Sequence, residues 1–255
     1  MIIGIIPARY ASSRFPGKPL ADIGGKPMIQ RVVEQVAQAK LIDRVVVATD
    51  DERIAERVRR FGGEVVMTRT DHPSGTDRCW EAYRSLVHPP PTPAETSDYI
   101  INIQGDEPFI HPAQIDELAT ILDGTVELAT QMTPIHSAQL LHDFGKVKIT
   151  ANAQGEALYF SRQPIPHLRG VDPANWHEHY AYQRHVGLYA YRADILSEIT
   201  QLPPSSLELA ESLEQLRWLE AGYRIRLVTT NYSSHGVDTP EDIEQALADR
   251  PDLKS

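Results

Sequence analysis

Four short apolar runs, each followed by a stretch of helical period, constrain this chain more than any other feature. Ile2–Ile6, Arg44–Thr49, Glu64–Met67 and Asp98–Ile103 read as buried strands. After them come segments whose apolar residues recur every three or four positions, such as Met28, Ile29, Val32, Val33 and Val36, or Ile54, Val58 and Phe61. Strand and helix in alternation require crossover connections, which build a mostly parallel sheet covered on both faces, a three-layer α/β fold. The first run is expected to stop at Pro7, and Gly62-Gly63 to end the helix before the third strand. In such a sheet ligands gather beyond the carboxyl ends of the strands, so the loops that follow the runs are where chemistry is sought.

The loop after the first run carries Arg9, Arg14 and Lys18 among Ser, Gly and Pro. Arginine offers a planar fork of donors to phosphate oxygens and lysine a mobile point charge, so three cations at one strand end suit a polyanion such as a nucleoside triphosphate. Gly17 lets backbone approach a ligand, while Pro16 and Pro19 restrict the loop. The spacing fits neither a Walker loop nor a dinucleotide fingerprint, so the phosphate grip is of another kind.

Composition narrows the classes. With 255 residues and 41% hydrophobic content the chain is long enough for one large α/β domain, expected over 1–255. A formal net charge of −10 argues against nucleic acid or an anionic membrane surface as partner. Cys79 is the only cysteine, which excludes an intrachain disulfide and points to a reducing cytoplasm. The apolar start is too short to span a bilayer and reads as a core strand, not a signal. His177, His179 and His185 lack zincin spacing, and no histidine-built metal site is expected.

Further loops follow in order. In Thr68–Arg78, Ser74 or Thr76 is placed to cap the helix carrying Cys79, Trp80 and Tyr83, and a helix start suits carbonyl or phosphate oxygens. His88–Ala94 reads as a proline-rich connector. Gln104-Gly105-Asp106-Glu107 arrives at the same sheet edge as the cationic loop. A carboxylate there can hold Mg²⁺ against a triphosphate, with Glu107 capping the helix of Ile115 and Leu118. From about 128 to 192 the character changes: Val147–Ile149 and Leu158–Phe160 read as strands around the turn Ala151–Gly155, an antiparallel lobe. Leu209, Leu213, Leu216 and Leu219 share helical spacing and predict one helix from Leu207. Ile225–Val228 is the last strand, and Asp238 or Thr239 caps a terminal helix entered at Pro240.

Four segments carry a resemblance over almost the whole chain, from near Met1 to about Ala246. PARYASSRFPGKPL from Pro7, HPSGTDR from His72, QGDEPFI from Gln104 and HGVDTPEDI from His235 resemble the cytidylyltransferases that activate 3-deoxy-D-manno-octulosonate (Kdo), a sugar acid of lipopolysaccharide. The resemblance implies a fold of the nucleotide-diphospho-sugar transferase type with a smaller sugar-binding and dimerisation lobe. It implies nucleotide contacts from Pro7, Ala8, Arg9, Arg14, Lys18, Ser74, Gly75, Arg78, Gln104 and Gly105, with the 68–78 loop on the cytosine and ribose and Arg78 in a positioning role. Asp106 and Asp238 become Mg²⁺ ligands, in competition with capping for Asp238. Arg162 is implied for the sugar's carboxylate, His185 and Tyr189 for its hydroxyls, and Glu214 and Gln215 also for the sugar.

The implied reaction is CTP plus Kdo giving CMP-Kdo and diphosphate, in a cytoplasmic homodimer. The anomeric hydroxyl attacks the α-phosphorus in line, Lys18 and Arg14 stabilise phosphate charge, and positioning with charge neutralisation does most of the work. No residue in the motifs reads as a dedicated general base. Three alternatives share parts of this reading. One is activation of another sugar acid, such as 8-amino-Kdo or a sialic acid; another is a glycosyltransferase, which would usually offer Asp-x-Asp where this chain has Gln-Gly-Asp. The third is a nucleotide-binding regulator without turnover.

Overall fold

The first apolar run becomes the middle of the sheet. In the computed structural model, which describes residues 1–11, 15–87, 98–232 and 236–249, strand β1 covers Ile2–Ala8. It therefore continues through Pro7 instead of stopping there. Odd-numbered residues of β1 turn their backbone toward β6 (Tyr99–Asn102), as in the bond from the Ile103 amide to the Ile5 carbonyl at 2.9 Å. That strand ends at Asn102, opposite Ile5. Pro7 thus faces a side where the ladder is already over, so its missing N–H costs nothing. Arg14 and the 88–97 stretch, including the expected connector, lie outside the described residues.

A small hairpin of β2 (Asp22–Ile23) and β3 (Lys26–Pro27) leads into α1 (Met28–Val36), with Pro27 as N-cap residue instead of in the first turn. Strand β4 (Arg44–Thr49), α2 (Glu52–Arg60) and β5 (Glu64–Met67) follow, then α3 (Gly75–Leu86), β6 and α4 (Pro112–Ala119). Helix α4 is capped by His111, whose ring nitrogen accepts from the Ala113 amide, and not by Glu107. Glu107 lies five residues before the first turn, in a tight turn whose carbonyl accepts from Ile110. The second half adds β7 (Leu128–Pro134), α5 (Ala138–His142), β8 (Lys148–Ala151), β9 (Ala157–Ser161), α6 (Trp176–His179) and β10 (Gln183–Arg192). It closes with α7 (Ala193–Ile199), α8 (Ser206–Glu211), α9 (Gln215–Glu220), β11 (Ile225–Thr229) and α10 (Pro240–Asp249).

The strands lie in the order β11-β7-β10-β6-β1-β4-β5. Pairs β1–β4, β1–β6, β4–β5 and β7–β11 are parallel, and β10 runs antiparallel between β6 and β7. Alternation sorts the side chains: Ile3, Ile5, Val46, Ala48 and Ile100 face α3 and Trp218 of α9, while Ile6, Val47 and Ile101 face Val32, Val36, Ile115 and Leu118. These are the two apolar interfaces of a three-layer sandwich. Each fully buried Ile, Leu or Val is worth about 1.5–3 kcal/mol of transfer free energy. Strands β8 and β9 form an antiparallel extension, as the turn at Ala151–Gly155 predicts.

One expected helix is two. The stretch from Leu207 breaks at Ser212, whose left-handed φ of 53° turns the chain and whose amide closes on the Glu208 carbonyl. The leucine spacing survives the break only in part: Leu213 and Leu216 are buried, whereas Leu209 is 69% exposed. No described helix is long and apolar enough to cross a membrane.

Candidate active site

Three segments far apart in sequence meet at one ammonium group. Lys18 Nζ donates to Asp106 Oδ2 at 2.7 Å and to Asp238 Oδ1 at 3.1 Å. Lys18 stands in a single 3₁₀ turn entered through Gly17, whose left-handed φ of 73° disfavours any side chain and where a Cβ would press on the Tyr10 ring at 3.1 Å. The Gly17 amide closes the loop on the Tyr10 carbonyl at 2.9 Å. The Arg53 guanidinium covers that ring at 3.3 Å from its centroid, so α2 braces the loop. Arg9 is exposed at the mouth of the same loop.

Asp106 is delivered by the turn after β6, which passes close over β1. A Cβ at Gly105 would stand 2.8 Å from the Pro7 carbonyl oxygen, so only glycine permits this approach. Gln104 reaches across to the Gly187 carbonyl at 3.4 Å. Asp238 comes from the other end of the chain. Val237, buried with Ile23, Met28, Phe109, Ile243 and Leu247, anchors it in a small satellite core.

Capping does not occupy Asp238. Thr239 is the cap, its hydroxyl accepting from the Asp242 amide at 3.3 Å, while the Asp242 carboxylate accepts from the Thr239 and Asp238 amides at 2.8 Å. The Asp238 carboxylate is turned toward Lys18 instead. All three ionised groups remain partly open to solvent, so each ion pair adds at most about 1 kcal/mol of stability. The arrangement is better suited to exchanging partners with a charged ligand than to holding the fold.

The start of α3 lines the next part of the edge. Ser74 is its cap, accepting from the Asp77 amide at 3.2 Å and donating to its carboxylate at 2.6 Å, so of Ser74 and Thr76 it is Ser74 that caps. Gly75 packs against Pro7 and Asn102, with room for a Cβ only in contact with the Pro7 ring at 3.4 Å. Arg78 is 1% exposed, donating to Thr68 Oγ1 at 2.6 Å and to Asp50 at 3.2 Å. It ties the ends of β4 and β5 to α3 and so positions the loop.

Thr76 turns inward and donates to Glu214 Oε2 at 2.9 Å. Burial raises the pKa of Glu214 above the ordinary carboxylate value, against the hydrogen bond from Thr76. The break at Ser212 is what swings Glu214, and with it buried Gln215, toward this edge.

Beyond Asn102 strand β6 has ended, and β8 joins β10 only at Gln183 and Arg184. A gap is left along β10 at residues 185–188, where the register with β7 also shifts. His185 lies in it, edge-on to Phe160 and beside Tyr189. Thr130 Oγ1 donates to the Leu188 and Val186 carbonyls at 2.8 and 3.1 Å, so its oxygen accepts from His185 Nε2 at 3.0 Å. Burial drives the His185 pKa down to about 3, leaving the ring neutral. The Tyr189 hydroxyl is buried without a hydrogen-bond partner among the described residues.

Arg162 is braced by backbone. Its guanidinium donates to the carbonyls of Glu211, Phe144 and Ser212 at 2.8, 3.3 and 3.3 Å, clamping α8 to the end of β9. Thr130, which positions His185, carries no motif signal, and the partners of Thr76, Thr130 and Val237 lie 55 or more residues away. A cavity of about 530 Å³ on the outer side of α3, lined by Arg69, His72, Trp80, Glu81 and Arg84, contains none of Lys18, Asp106 or Asp238.

Comparison with known proteins agrees with this geometry. A family model described as cytidylyltransferase matches residues 3–225. The 3-deoxy-manno-octulosonate cytidylyltransferase of Cytophaga hutchinsonii is 56% identical over 243 residues, covering 95% of this chain and 94% of its own. That of Geobacter sulfurreducens is 50% identical, over 96% and 98%. A solved CMP:2-keto-3-deoxy-manno-octonic acid synthetase, complexed with CTP, superposes with a TM-score of 0.88 at 44% identity, covering 98% of both chains. A 4-diphosphocytidyl-2C-methyl-D-erythritol synthase from Anaerococcus prevotii shares the fold alone, with a TM-score of 0.59 at 16% identity over 98% of both chains.

Proposed function

The chain belongs to the cytidylyltransferase family, and from that premise we propose that it transfers CMP from CTP to 3-deoxy-manno-octulosonate, releasing diphosphate. The observation that carries this reading is the meeting of Lys18, Asp106 and Asp238 at the carboxyl end of β6. A triphosphate laid across that edge finds Lys18 and Arg9 beside it and the start of α3, with Ser74 and Gly75, within reach of the base and ribose. Arg14 belongs to the same reading from its place in the loop. Gln104, Gly105, Pro7 and Ala8 form the floor on which the nucleotide rests.

Mg²⁺ is part of the proposal. Two carboxylates converging on one cation form the donor set that a hard divalent ion takes when phosphate and water oxygens complete its shell. When bound, the ion supplies positive charge to the phosphates and makes the sugar's hydroxyl a better nucleophile. The chain's own residues do the rest by orientation. Lys18 neutralises charge on the phosphates, and His185, Tyr189, Glu214 and Gln215 hold the sugar with its anomeric oxygen in line with the α-phosphorus. That oxygen bonds to the α-phosphorus as the bond to the diphosphate oxygen breaks, and the hydroxyl proton is released to solvent.

A homodimer is the assembly that fits the second half of the chain. Leu158 is 60% and Phe144 57% exposed, with Leu140 and Tyr180 also open, an apolar presence that a second copy would cover. The product is an activated form of a lipopolysaccharide sugar, and the cytoplasm, where CTP is made, is the setting proposed for it.

The test is diphosphate release by the purified protein with CTP, Mg²⁺ and Kdo, beside parallel reactions with other nucleotides, 8-amino-Kdo and sialic acid. Turnover with CTP and Kdo that disappears on removal of Mg²⁺ supports the reading. Turnover with another sugar acid alone overturns the substrate. Light scattering behind a sizing column reads the assembly.

A further inference from the structure

Thr76 stands where the two halves of the site meet. It is the second residue of α3, directly after Ser74 and Gly75, and is 3% exposed on the helix face that also buries Cys79 and Tyr83. Stability alone would be served there by an apolar residue, since a buried hydroxyl has to find a partner. The partners of Thr76 come from two distant elements. Its Oγ1 donates to Glu214 Oε2 at 2.9 Å and lies 3.5 Å from the Tyr191 hydroxyl.

Both partners belong to the sugar half. Glu214 is the residue before α9, and Tyr191 lies on β10 stacked on Tyr189, their ring centroids 6.0 Å apart. Tyr189 and Tyr191 in turn meet Trp218 of α9 edge-on, at 5.3 and 5.6 Å. One hydroxyl on α3 thus touches the two elements that carry Glu214, Gln215, His185 and Tyr189. The same helix begins in the nucleotide half. Gly75 packs against the Pro7 ring and the Asn102 amide, and Ser74 is locked by the Asp77 amide and carboxylate. The start of α3 cannot shift without moving Thr76, its next residue.

A nucleotide that holds the start of α3 fixes the Thr76 hydroxyl, and with it the Glu214 carboxylate in the orientation offered to the sugar. Linkage requires the converse, so a sugar that engages Glu214 favours the position of α3 that suits the nucleotide. We propose that Thr76 is a positioning residue that couples the two substrates, each tightening the other through this one hydroxyl. The coupling presupposes the substrates proposed above.

The experiment is titration calorimetry in Mg²⁺ on wild type, Thr76→Val and Thr76→Ser, with diphosphate release from CTP and Kdo recorded alongside. The Kd for Kdo is measured with and without a CTP analogue that has a methylene between its α and β phosphorus atoms and so transfers nothing. The Kd for the analogue is measured with and without Kdo. In wild type Kdo is expected to bind about 10-fold or more tightly with the analogue present, and the analogue to gain the same factor from Kdo. Thr76→Val keeps the shape and loses the hydroxyl, and should reduce that factor below about 3-fold, while Thr76→Ser should retain it.

A merely structural role for Thr76 would weaken Kdo and the analogue separately and leave the factor as in wild type. An unchanged factor in Thr76→Val, or no coupling in wild type, overturns the proposal. If Thr76→Val fails to fold, Thr76→Ala is judged on the same factor, alanine being well tolerated inside a helix. A wild type that releases no diphosphate from CTP and Kdo overturns the substrate reading and the coupling with it. Turnover of Kdo with an unchanged factor in the variant overturns the coupling alone.

Discussion

The amide of Val237 donates to the carbonyl of Asp106 at 2.8 Å, so the two carboxylates that grip Lys18 are joined through backbone. Val237 is held from below by the satellite core of Ile23, Met28, Phe109, Ile243 and Leu247. That core includes the hairpin after the cationic loop, the turn after β6 and the terminal helix. Displacing any one of them moves the others, which is how residues 18, 106 and 238 keep register.

Separating the capping and charge roles of neighbouring residues gives a direct prediction. Thr239→Ala should lose about 1 kcal/mol of stability, the usual cost of a deleted cap, and retain turnover. Asp238→Ala and Asp106→Ala should keep the melting temperature within a few degrees and lose diphosphate release by 10²-fold or more, on the order seen when transition-state charge stabilisation is removed. Calorimetry beside the release assay distinguishes them, and the opposite pattern would return Asp238 to a structural role.

Gly105→Ala tests the close passage over β1. The new methyl would stand 2.8 Å from the Pro7 carbonyl, a backbone atom that no rotamer change can remove. Overpacking of this kind costs about 1–3 kcal/mol, and here the displacement carries Asp106 with it. Activity is expected to fall more than tenfold while the protein stays folded, a loss visible in kcat. An alanine variant with wild-type kcat would mean the loop position is not critical.

Acid stability should carry the mark of His185. Its folded pKa, about 3, lies below the ordinary value of 6.5, so the folded state favours the neutral ring. The contribution is complete above 6.5 and is lost as pH falls toward 3, at about 1.4 kcal/mol per pH unit from this group. His185→Asn should therefore lose stability less steeply on acidification through that window. Urea unfolding at pH 7, 5.5 and 4.5 measures the slopes; parallel slopes for variant and wild type would refute a buried neutral histidine.

Ser212 offers a prediction of opposite sign. A residue with a Cβ holds a left-handed φ of 53° at the break between α8 and α9. Ser212→Gly should gain about 0.5–1 kcal/mol, while Ser212→Val should lose more than that and disturb Glu214, two residues on. Thermal melts and KM for the sugar acid read both effects.

Much of this protein was decided by local pattern. The short apolar runs and the period-3.6 stretches of the first half dictate strands, helices and a parallel sheet, because apolar strands have to be covered on both faces and each helix buries one apolar stripe. The cationic loop, the Gln-Gly-Asp turn and the Asp before the terminal helix stand out as residue types suited to phosphate and a divalent ion. Tertiary structure decided what spacing does not encode. Pro7 stays within β1 because its neighbour strand ends at Asn102, the Leu207 helix breaks at a left-handed Ser212, and Arg162 clamps α8 to the end of β9 through three carbonyls. Thr239 takes the cap and frees Asp238 for Lys18, a choice between two adjacent capping residues that only the docking of α10 on its satellite core resolves. Burial and partnership are properties of the folded chain, because they depend on which distant strands come to lie side by side.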